Sequence, residues 1–206
     1  KRQLQYLAPS VILTTGTSLC GRIFVGLQST PAGRMGERAA VGLSDSLKAH
    51  GIEIKKLKTG TPARVDARTI DYSKMDIQPG DEELNFFSFE PNRPVRKQYP
   101  CYLTRTTEKT HEIIKANLDK SPMYSGLIHG VGPRYCPSIE DKVVRFANNP
   151  SHHIFIEPEG KDTYEVYVQG FSTSLPAPVQ VEMLHSLPGL ETVSYTHLRA
   201  HETLSD

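Results

Sequence analysis

The strongest structural signal in the chain is a helix start at Ser138. Asp141 follows three residues later, a spacing typical of a capping box, in which each side chain bonds the backbone amide of the other residue. Ile139, Val143 and Phe146 recur at the spacing of one helical face. The pattern therefore predicts a helix that begins at Ser138 and packs this face against a core.

A cysteine lies just before this helix start. Cys136 is held between Arg134 and Pro137, and a nearby guanidinium and the positive end of a helix both favour thiolate over thiol. An accessible thiolate is a nucleophile or a redox centre, so the sequence favours a reactive cysteine. The alternative is a half-buried structural cysteine. The first helical amides could also receive a phosphate or carboxylate, but Glu140 and Asp141 already complement the helix dipole.

The composition is that of a soluble globular protein. The 206 residues are 37% hydrophobic and 23% charged, and the formal net charge of +1 gives no argument for nucleic-acid binding. No apolar run approaches the roughly 18 residues that a membrane-spanning helix needs. Cys20, Cys101 and Cys136 lack metal-type spacing, which favours a reduced, cytoplasmic setting with no metal site. We expect Cys20 and Cys101 to be packing residues.

Strands and helices alternate along the chain, which predicts an α/β or α+β protein. Apolar and alternating patterns predict strands at residues 11–17, 21–26, 153–157 and 164–169. Helical spacing predicts helices at residues 41–50, 107–118, 138–147 and 178–187. Leu43 and Leu47 are expected to face a core, and Ser174 to cap the last helix.

Three loops could approach phosphate groups. Residues 14–17 follow the first predicted strand, where a glycine turn lets the backbone approach a dinucleotide; an ordinary strand-to-loop turn is the alternative. The glycine-rich loop at residues 33–36 could cradle a phosphate or be an ordinary loop. Lys55, Lys56 and Lys58 could contact a phosphate backbone, or they could form a solvated charged edge.

Several of these segments together resemble the MnmG (GidA) family, the FAD-dependent tRNA uridine 5-carboxymethylaminomethyl modification enzymes. The resemblance covers roughly residues 5–191. It is carried by residues 11–17, 33–34, 57–64, 66–71, 100–102, 121–124, 130–146, 157–160 and 171–176.

This resemblance implies an α/β fold that is part of a Rossmann-like FAD-binding domain with an inserted α+β, NAD-binding domain. Residues 1–60 and 161–191 would belong to the FAD-binding domain. Residues 61–160 would form the inserted domain with the NAD-binding, reactive-cysteine motif.

The family's activity implies a function for the protein of which this chain would be a part. Such enzymes add the carboxymethylaminomethyl group at C5 of the tRNA wobble uridine, with methylenetetrahydrofolate as carbon donor and NADH as reductant of FAD. The implied partners are tRNA and an MnmE-type GTPase, in a homodimer and a heterotetramer, without a membrane.

The family's functional residues can be carried onto matching positions of this sequence. The cysteine proposed to act in catalysis falls on Cys136. The positions implied to bind FAD are Thr15, Gly16, Thr17 and Ala40. The positions implied to bind NAD are Gly132, Pro133, Arg134, Tyr135, Cys136, Pro137, Ser138, Ile139, Glu140, Asp141, Lys142, Val143, Val144, Arg145 and Phe146.

The chain departs from the family at both ends. The glycine-rich FAD fingerprint is absent at the N-terminal end, and the C-terminal region that binds the GTPase and tRNA is missing. We therefore expect an internal fragment that binds FAD weakly or not at all. Residues 193–203 resemble a translated sequencing-library adaptor, so residues 192–206 are expected to be a non-native tail with few contacts. His197 and His201 are then expected to bind no metal, despite their helical spacing.

Other functions are compatible with the residues alone. A related enzyme is the folate- and FAD-dependent tRNA uracil-5-methyltransferase, but the segment at residues 134–142 resembles the MnmG family and not this relative. A non-catalytic NAD- or RNA-binding module is an alternative of another class. A truncated fragment without activity is a third.

Overall fold

The structure, a computed structural model, describes residues 4–16, 18–55, 58–83, 86–89, 97–128, 137–197 and 201–204. The strands in these residues are β1 (Gly21–Val25), β2 (Gln28–Pro31), β3 (Lys58–Thr59), β4 (Arg64–Asp66), β5 (Asp76–Gln78), β6 (Cys101–Arg105), β7 (His153–Pro158), β8 (Glu165–Gln169), β9 (Tyr195–His197) and β10 (His201–Leu204). The α-helices are α1 (Leu43–Ala49), α2 (Glu108–Ala116), α3 (Ile139–Arg145) and α4 (Ala177–His185). Short 3-10 turns occupy Ala67–Thr69, Tyr72–Lys74 and Leu118–Lys120.

A six-stranded antiparallel sheet forms the main layer of the described chain, with strand order β5-β6-β7-β8-β4-β9. In β7 and β8, buried and partly exposed residues alternate, because successive side chains point to opposite faces of a sheet. Ile154, Ile156, Val166 and Val168 form the buried face. The sheet therefore has one face that needs an apolar covering layer.

Helices α2, α3 and α4 contribute buried residues to the same core as this sheet face. Ile114 of α2, Val143 of α3 and Met183 of α4 are almost fully enclosed and belong to one apolar cluster with the strand residues. Leu187 and Leu190, which follow α4, extend that cluster. The result is a two-layer arrangement of helices on a sheet, and the mixed α/β class predicted from the sequence is confirmed.

A second, four-stranded sheet has the order β2-β1-β10-β3 and a small core around Ile23 and Ala32. It connects to the larger sheet's helices at Gly26, whose amide donates to the Ser174 carbonyl at 2.7 Å. Gly26 has a φ of +56°, and a Cβ there would lie 2.9 Å from Pro176. Glycine is therefore required both by the backbone conformation and by the close approach of the two segments.

Most predicted elements are present near the predicted bounds. The strands β1, β7 and β8 and all four predicted helices form within a few residues of the positions inferred from periodicity. Helix α2 begins at the capping residue Thr107, whose side chain accepts from the Thr110 amide at 3.1 Å. Among the described residues, no helix is long and apolar enough to cross a membrane.

The predicted strand at residues 11–17 is wrong over its described part. Residues 11–16 have no strand pairing, and Val11 and Ile12 are 79% and 86% exposed. An apolar run can satisfy a strand pattern, but it forms a strand only where an adjacent backbone and a core surface receive it. The described residues provide neither to this segment.

Two further local predictions are wrong. Leu43 is exposed and Leu47 only half-buried, while Ser44 is the buried residue of α1. Ser174 does not cap α4, which instead begins after Pro176 without a side-chain cap. Ser174 is buried, its carbonyl accepts from the Gly26 amide, and its amide donates to Glu140 Oε1.

The expectation that residues 193–206 make few contacts is also wrong for the described part. Val193 is buried, β9 pairs with β4, and β10 pairs with both β1 and β3. Strand pairing uses backbone groups that almost every residue carries, so an exposed sheet edge accepts a strand without side-chain complementarity. His197 and His201 lie in different sheets, so their helical spacing is not realised.

The packed face of the larger sheet gives a first prediction. Replacing the buried Ile156 by alanine removes core contacts and leaves a cavity, which is expected to lower the free energy of unfolding by about 2–5 kcal/mol. Ile77→Ala in β5 is the control, because Ile77 is 58% exposed; its effect should stay within about 0.5 kcal/mol. Urea denaturation followed by circular dichroism measures both, and equal losses would contradict the described packing.

Candidate functional site

The helix start at Ser138 has the geometry that the sequence predicts. The Ser138 Oγ accepts from the Asp141 amide at 3.2 Å, and the Ser138 amide donates to Asp141 Oδ2 at 3.2 Å. The Ile139 amide donates to the Ser172 carbonyl at 2.8 Å. Ile139 and Val143 are buried as predicted, whereas Phe146 is 54% exposed. These bonds occupy the amides of Ser138, Ile139 and Asp141, so anion binding there is not supported.

Asp141 is also the partner of a buried lysine. The Lys58 Nζ lies 3.3 Å from Asp141 Oδ2, and both side chains are almost fully enclosed. Tyr124 donates its hydroxyl to the other carboxylate oxygen at 3.3 Å. Burial alone would raise the pKa of Asp141, but the Lys58 ammonium and the bonds from Ser138 outweigh it, and the net pKa is lowered. Burial and the nearby Asp141 raise the pKa of Tyr124 to about 12.

The Lys58 pair corrects the interpretation of the basic loop. Lys58 cannot contact a phosphate backbone in this structure, because its side chain is enclosed against Asp141. Lys55 is exposed and pairs with Glu53 at 3.3 Å, which fits the solvated-edge alternative. Lys56 lies outside the described residues. The interaction that the sequence did not reveal joins positions 83 residues apart.

Glu140 is the second carboxylate at this helix start, and it is enclosed completely. Its Oε1 accepts from Thr173 Oγ1 at 2.8 Å and from the Ser174 amide at 3.3 Å. Its Oε2 is buried with no hydrogen-bond partner within the described part of the chain. Burial raises the pKa of Glu140 despite these bonds, because it penalises the charged form. Glu140 therefore joins α3 to residues 173–174 rather than facing solvent.

The residues assigned to FAD by resemblance are partly brought together. Leu19 forms a parallel bridge with Ala40, and the Cys20 amide donates to the Ala40 carbonyl at 2.8 Å. This pairing joins Ala40 to Leu19 and Cys20, which follow Thr15 and Gly16 in the chain. Gly16 has a φ of +57° and open space where a Cβ would lie, so its backbone is accessible to a ligand. Thr17 lies outside the described residues.

The turn next to this pairing contains a strained residue. Cys20 has a φ of +48°, a left-handed conformation that is costly for a residue with a side chain. Its Sγ donates to Ser44 Oγ at 3.6 Å, which links the turn to α1.

Cys101 is half-buried in β6, and burial raises the pKa of its thiol, so it is not activated.

The segment assigned to NAD divides into three groups. Gly132, Pro133, Arg134, Tyr135 and Cys136 lie outside the described residues. Side chains enclosed by protein belong to Ser138, Ile139, Glu140, Asp141 and Val143. Side chains that reach the surface, fully or in part, belong to Pro137, Lys142, Val144, Arg145 and Phe146. The enclosed group holds α3 in place, so among the described residues of this segment it is the third group that can meet a ligand directly.

A cleft beside α3 was not identified from the sequence. Its volume is about 520 Å³, and its walls include Lys142, Phe146, His152 and His153. The adjacent histidines were the available signal, but two neighbouring histidines in a sequence do not show which of them will be enclosed. Within the described residues, no group of three or more histidine, cysteine or acidic side chains could hold a metal ion.

Comparison with known proteins gives a consistent result. The sequence profile of the family described as "Glucose inhibited division protein A" matches residues 1–202. A Synechocystis protein named tRNA uridine 5-carboxymethylaminomethyl modification enzyme MnmG is 61% identical over 185 residues, covering 89% of this chain and 29% of that protein. The Bacillus subtilis protein of the same name is 55% identical over 188 residues, covering 91% of this chain and 30% of that protein.

Solved structures agree with the sequence matches. The structure of Aquifex aeolicus GidA in its form I crystal superposes with a TM-score of 0.83 at 48% identity, covering 93% of this chain and 33% of that chain. The form II crystal gives a TM-score of 0.80 at 44% identity. The present chain thus spans about 30% of the length of the curated relatives that it matches.

The Lys58–Asp141 pair gives a prediction about stability. Lys58→Met leaves the Asp141 carboxylate buried without its cation and is expected to lower the free energy of unfolding by about 3–5 kcal/mol. Lys55→Met is the matched control, since Lys55 forms an exposed pair that contributes about 0–1 kcal/mol. Chemical denaturation near neutral pH measures both variants. A loss at Lys58 no larger than that at Lys55 would contradict the buried pair.

Glu140 gives a prediction about pH. Its raised pKa means that the folded state keeps a proton that the unfolded state releases above a pH of about 4.3. The stability contributed by the neutral carboxyl is therefore lost as the pH rises through the folded-state pKa. Glu140→Gln cannot ionise, so its stability relative to the unmodified chain should increase with pH.

Thermal unfolding of both proteins across this pH range tests the expected difference in slope. Glu112→Gln, at an exposed position of α2, should follow the unmodified chain at every pH. If the stability of Glu140→Gln and that of the unmodified chain changed with pH in the same way, ionisation of Glu140 in the folded state would not lower the stability, and the prediction would be wrong.

Proposed function

The chain belongs to the glucose inhibited division protein A family, and we propose that it is part of an enzyme that modifies tRNA. The proposed reaction adds a carboxymethylaminomethyl group at C5 of the wobble uridine. The observation that carries this proposal is the 61% identity to a named modification enzyme over 89% of the chain. Because the chain spans about 30% of that relative, the activity is proposed for the longer protein of this family type.

FAD is the proposed redox cofactor, and it would supply the oxidation and reduction steps of the reaction. The residues that would hold it here are Thr15, Gly16, Thr17 and Ala40. Support comes from the backbone pairing of Ala40 with Leu19 and Cys20, three and four residues after the exposed glycine at position 16. A turn with an accessible backbone is what close approach to a dinucleotide phosphate requires.

NADH is the proposed reductant, with the segment at residues 132–146 as its binding region. In the described part of this segment, the side chains that reach the surface and could contact it are those of Pro137, Lys142, Val144, Arg145 and Phe146. The capping bonds of Ser138 and the Lys58–Asp141 pair fix the helix on which these residues stand. Methylenetetrahydrofolate is the proposed carbon donor.

The proposed assembly is that of the family. It comprises tRNA, an MnmE-type GTPase, and homodimers that join into a heterotetramer, in the cytoplasm. No described residue carries this part of the proposal, which rests on family membership.

Cys136 is the proposed catalytic residue, and it gives a direct test. In the full-length enzyme that carries this sequence, Cys136→Ser should abolish formation of the modified uridine, because a hydroxyl is far less nucleophilic than a thiolate at neutral pH. FAD should stay bound, since Cys136 lies outside the segments proposed to hold it. Mass spectrometry of tRNA nucleosides measures the modification, and flavin absorbance measures the cofactor.

Cys101→Ser in the same enzyme is the matched control, because Cys101 is a half-buried residue of β6 whose thiol is not activated. It should leave the modified uridine near its normal level. Normal modification by Cys136→Ser would refute the catalytic assignment. Loss of thermal stability without loss of activity would indicate a structural cysteine.

A further inference from the structure

A single segment of the chain pairs with residues 58–66 in both sheets. In the larger sheet, β9 pairs with β4, and Arg64 lies opposite His197. In the second sheet, β10 pairs with β3, and Thr59 lies opposite Glu202. Both strands advance by five residues between these two pairs, so the same antiparallel register holds in both sheets. Residues 58–66 therefore form one acceptor edge for an extended segment.

In the second sheet, this segment fills a slot instead of extending an outer edge. β10 lies between β1 and β3 in the strand order, and β1 and β3 do not pair with each other within the described residues. Its partners in β1 include Ile23 and Phe24, which are 5% and 6% exposed. The backbone groups of such enclosed residues need a partner within the protein. The slot between β1 and β3 is thus built to receive an extended backbone.

The slot accepts its occupant through the backbone. Residues 193–203 resemble a translated adaptor, and side chains of that origin were never selected for this place. β10 nevertheless pairs with a strand on each side. Strand pairing uses the amide and carbonyl groups that almost every residue carries. The slot is therefore a property of β1 and β3, and it does not depend on the particular side chains that fill it.

The segment in the slot also supports Lys58. Strand β3 consists of Lys58 and Thr59 alone, and β10 is its strand partner in the described part of the chain. From this strand the Lys58 side chain reaches Asp141 at the start of α3, with 3.3 Å between Nζ and Oδ2. A strand of two residues has few contacts of its own and opens easily when its neighbour is lost. Removal of the segment would therefore loosen Lys58 from Asp141.

The path of the chain identifies the natural occupant. Leu187 and Leu190 belong to the main core, and shortly after them the Ser194 carbonyl accepts from the Asp66 amide at 2.8 Å. The chain therefore leaves the core directly onto the acceptor edge. A strand from a second copy would have to displace this connection and lose the freedom that association costs. The curated relatives are longer, since this chain covers about 30% of their length.

We propose that the acceptor edge and the slot beside β1 receive the native segment that follows Leu190 in the longer protein, and that this segment fixes Lys58 against Asp141. The segment is a positioning element, because it connects the second sheet to the helix that follows Cys136. This inference goes beyond the proposed reaction and does not depend on it.

The first test removes the pairing within the 206-residue chain. Successive residues of a strand direct their amides to opposite neighbours, so Glu202→Pro together with Thr203→Pro removes one donor toward β1 and one toward β3. Amide hydrogen exchange in β3 should become at least about tenfold faster. Lys58→Met should then shift the urea midpoint less than it does in the unmodified chain, because the pair is already loosened.

Two adjacent prolines in another strand of the same sheet are the matched control. Ser29→Pro together with Thr30→Pro alters β2, which pairs with β1 and not with β3. This variant should leave hydrogen exchange in β3 unchanged, and slow exchange in β7 verifies that each variant is folded. Equal acceleration of β3 in both double variants would show that the second sheet opens as a whole, and it would overturn the link between the segment and Lys58.

The second test needs no variant and identifies the occupant. Hydrogen exchange of β1 and β3 is measured in the full-length enzyme that carries this sequence, over a series of dilutions. Both strands should exchange slowly at every concentration, because the native segment belongs to the same molecule.

Two results of this second test would overturn the proposal. Fast exchange of β3 would mean that no strand fills the slot in the enzyme. Slow exchange that is lost on dilution would identify a second copy as the occupant, since only association between molecules depends on concentration. Neither result depends on whether Cys136→Ser abolishes modification, so failure of this inference and failure of the proposed function are distinguishable.

Discussion

The buried contact between Lys58 and Asp141 is the constraint on which the site depends. It joins the short strand β3 to the start of α3 across 83 positions of the chain, with both charged groups enclosed. Two buried charges are tolerable only when they are paired and hydrogen-bonded. Asp141 meets this condition because Ser138 and Tyr124 also bond to it, while its amide completes the capping box.

Glu140 anchors the same helix in another direction. Through Thr173 and Ser174 it ties α3 to the segment that precedes α4, and the Ser174 carbonyl in turn receives the Gly26 amide from the second sheet. The helix that follows Cys136 is thus tied to β3 through Asp141 and to residues 173–174 through Glu140. A rigid helix start is what a precisely placed reactive group requires, and Lys142 of α3 lines the cleft.

The sequence predicted those elements that depend on neighbouring residues. The capping box at Ser138, the alternating strands β7 and β8 and the helix after Thr107 follow from near neighbours, and all are present. Burial of Lys58 was not predictable in the same way. A lysine close to two other lysines in the sequence is expected to be exposed to solvent, unless its distant partner is known. The predictions of a strand at residues 11–16 and of few contacts for the segment that contains β10 were wrong for a related reason. Strand pairing depends on which backbone edges are available in the folded chain.

The candidate site was predicted in outline and corrected in detail. Resemblance identified the segment around α3, but it could not separate side chains that support the helix, such as Ile139 and Val143, from those that reach a ligand. It also missed His152, which comes from outside that segment and meets Lys142 only in the folded chain. Both points depend on which side chains are buried and which lie together in the folded chain, and these are properties of the whole fold.

A double-mutant cycle on Lys58 and Asp141 tests the central claim most directly. Unfolding free energies of the unmodified chain, Lys58→Met, Asp141→Asn and the double variant give the coupling between the two side chains, free of their separate effects on packing and capping. If the pair holds β3 to α3, the coupling should be favourable by at least about 1.5 kcal/mol, toward the upper part of the range for groups in contact. A coupling near zero would show that the pair does not hold β3 to α3, and it would contradict the account.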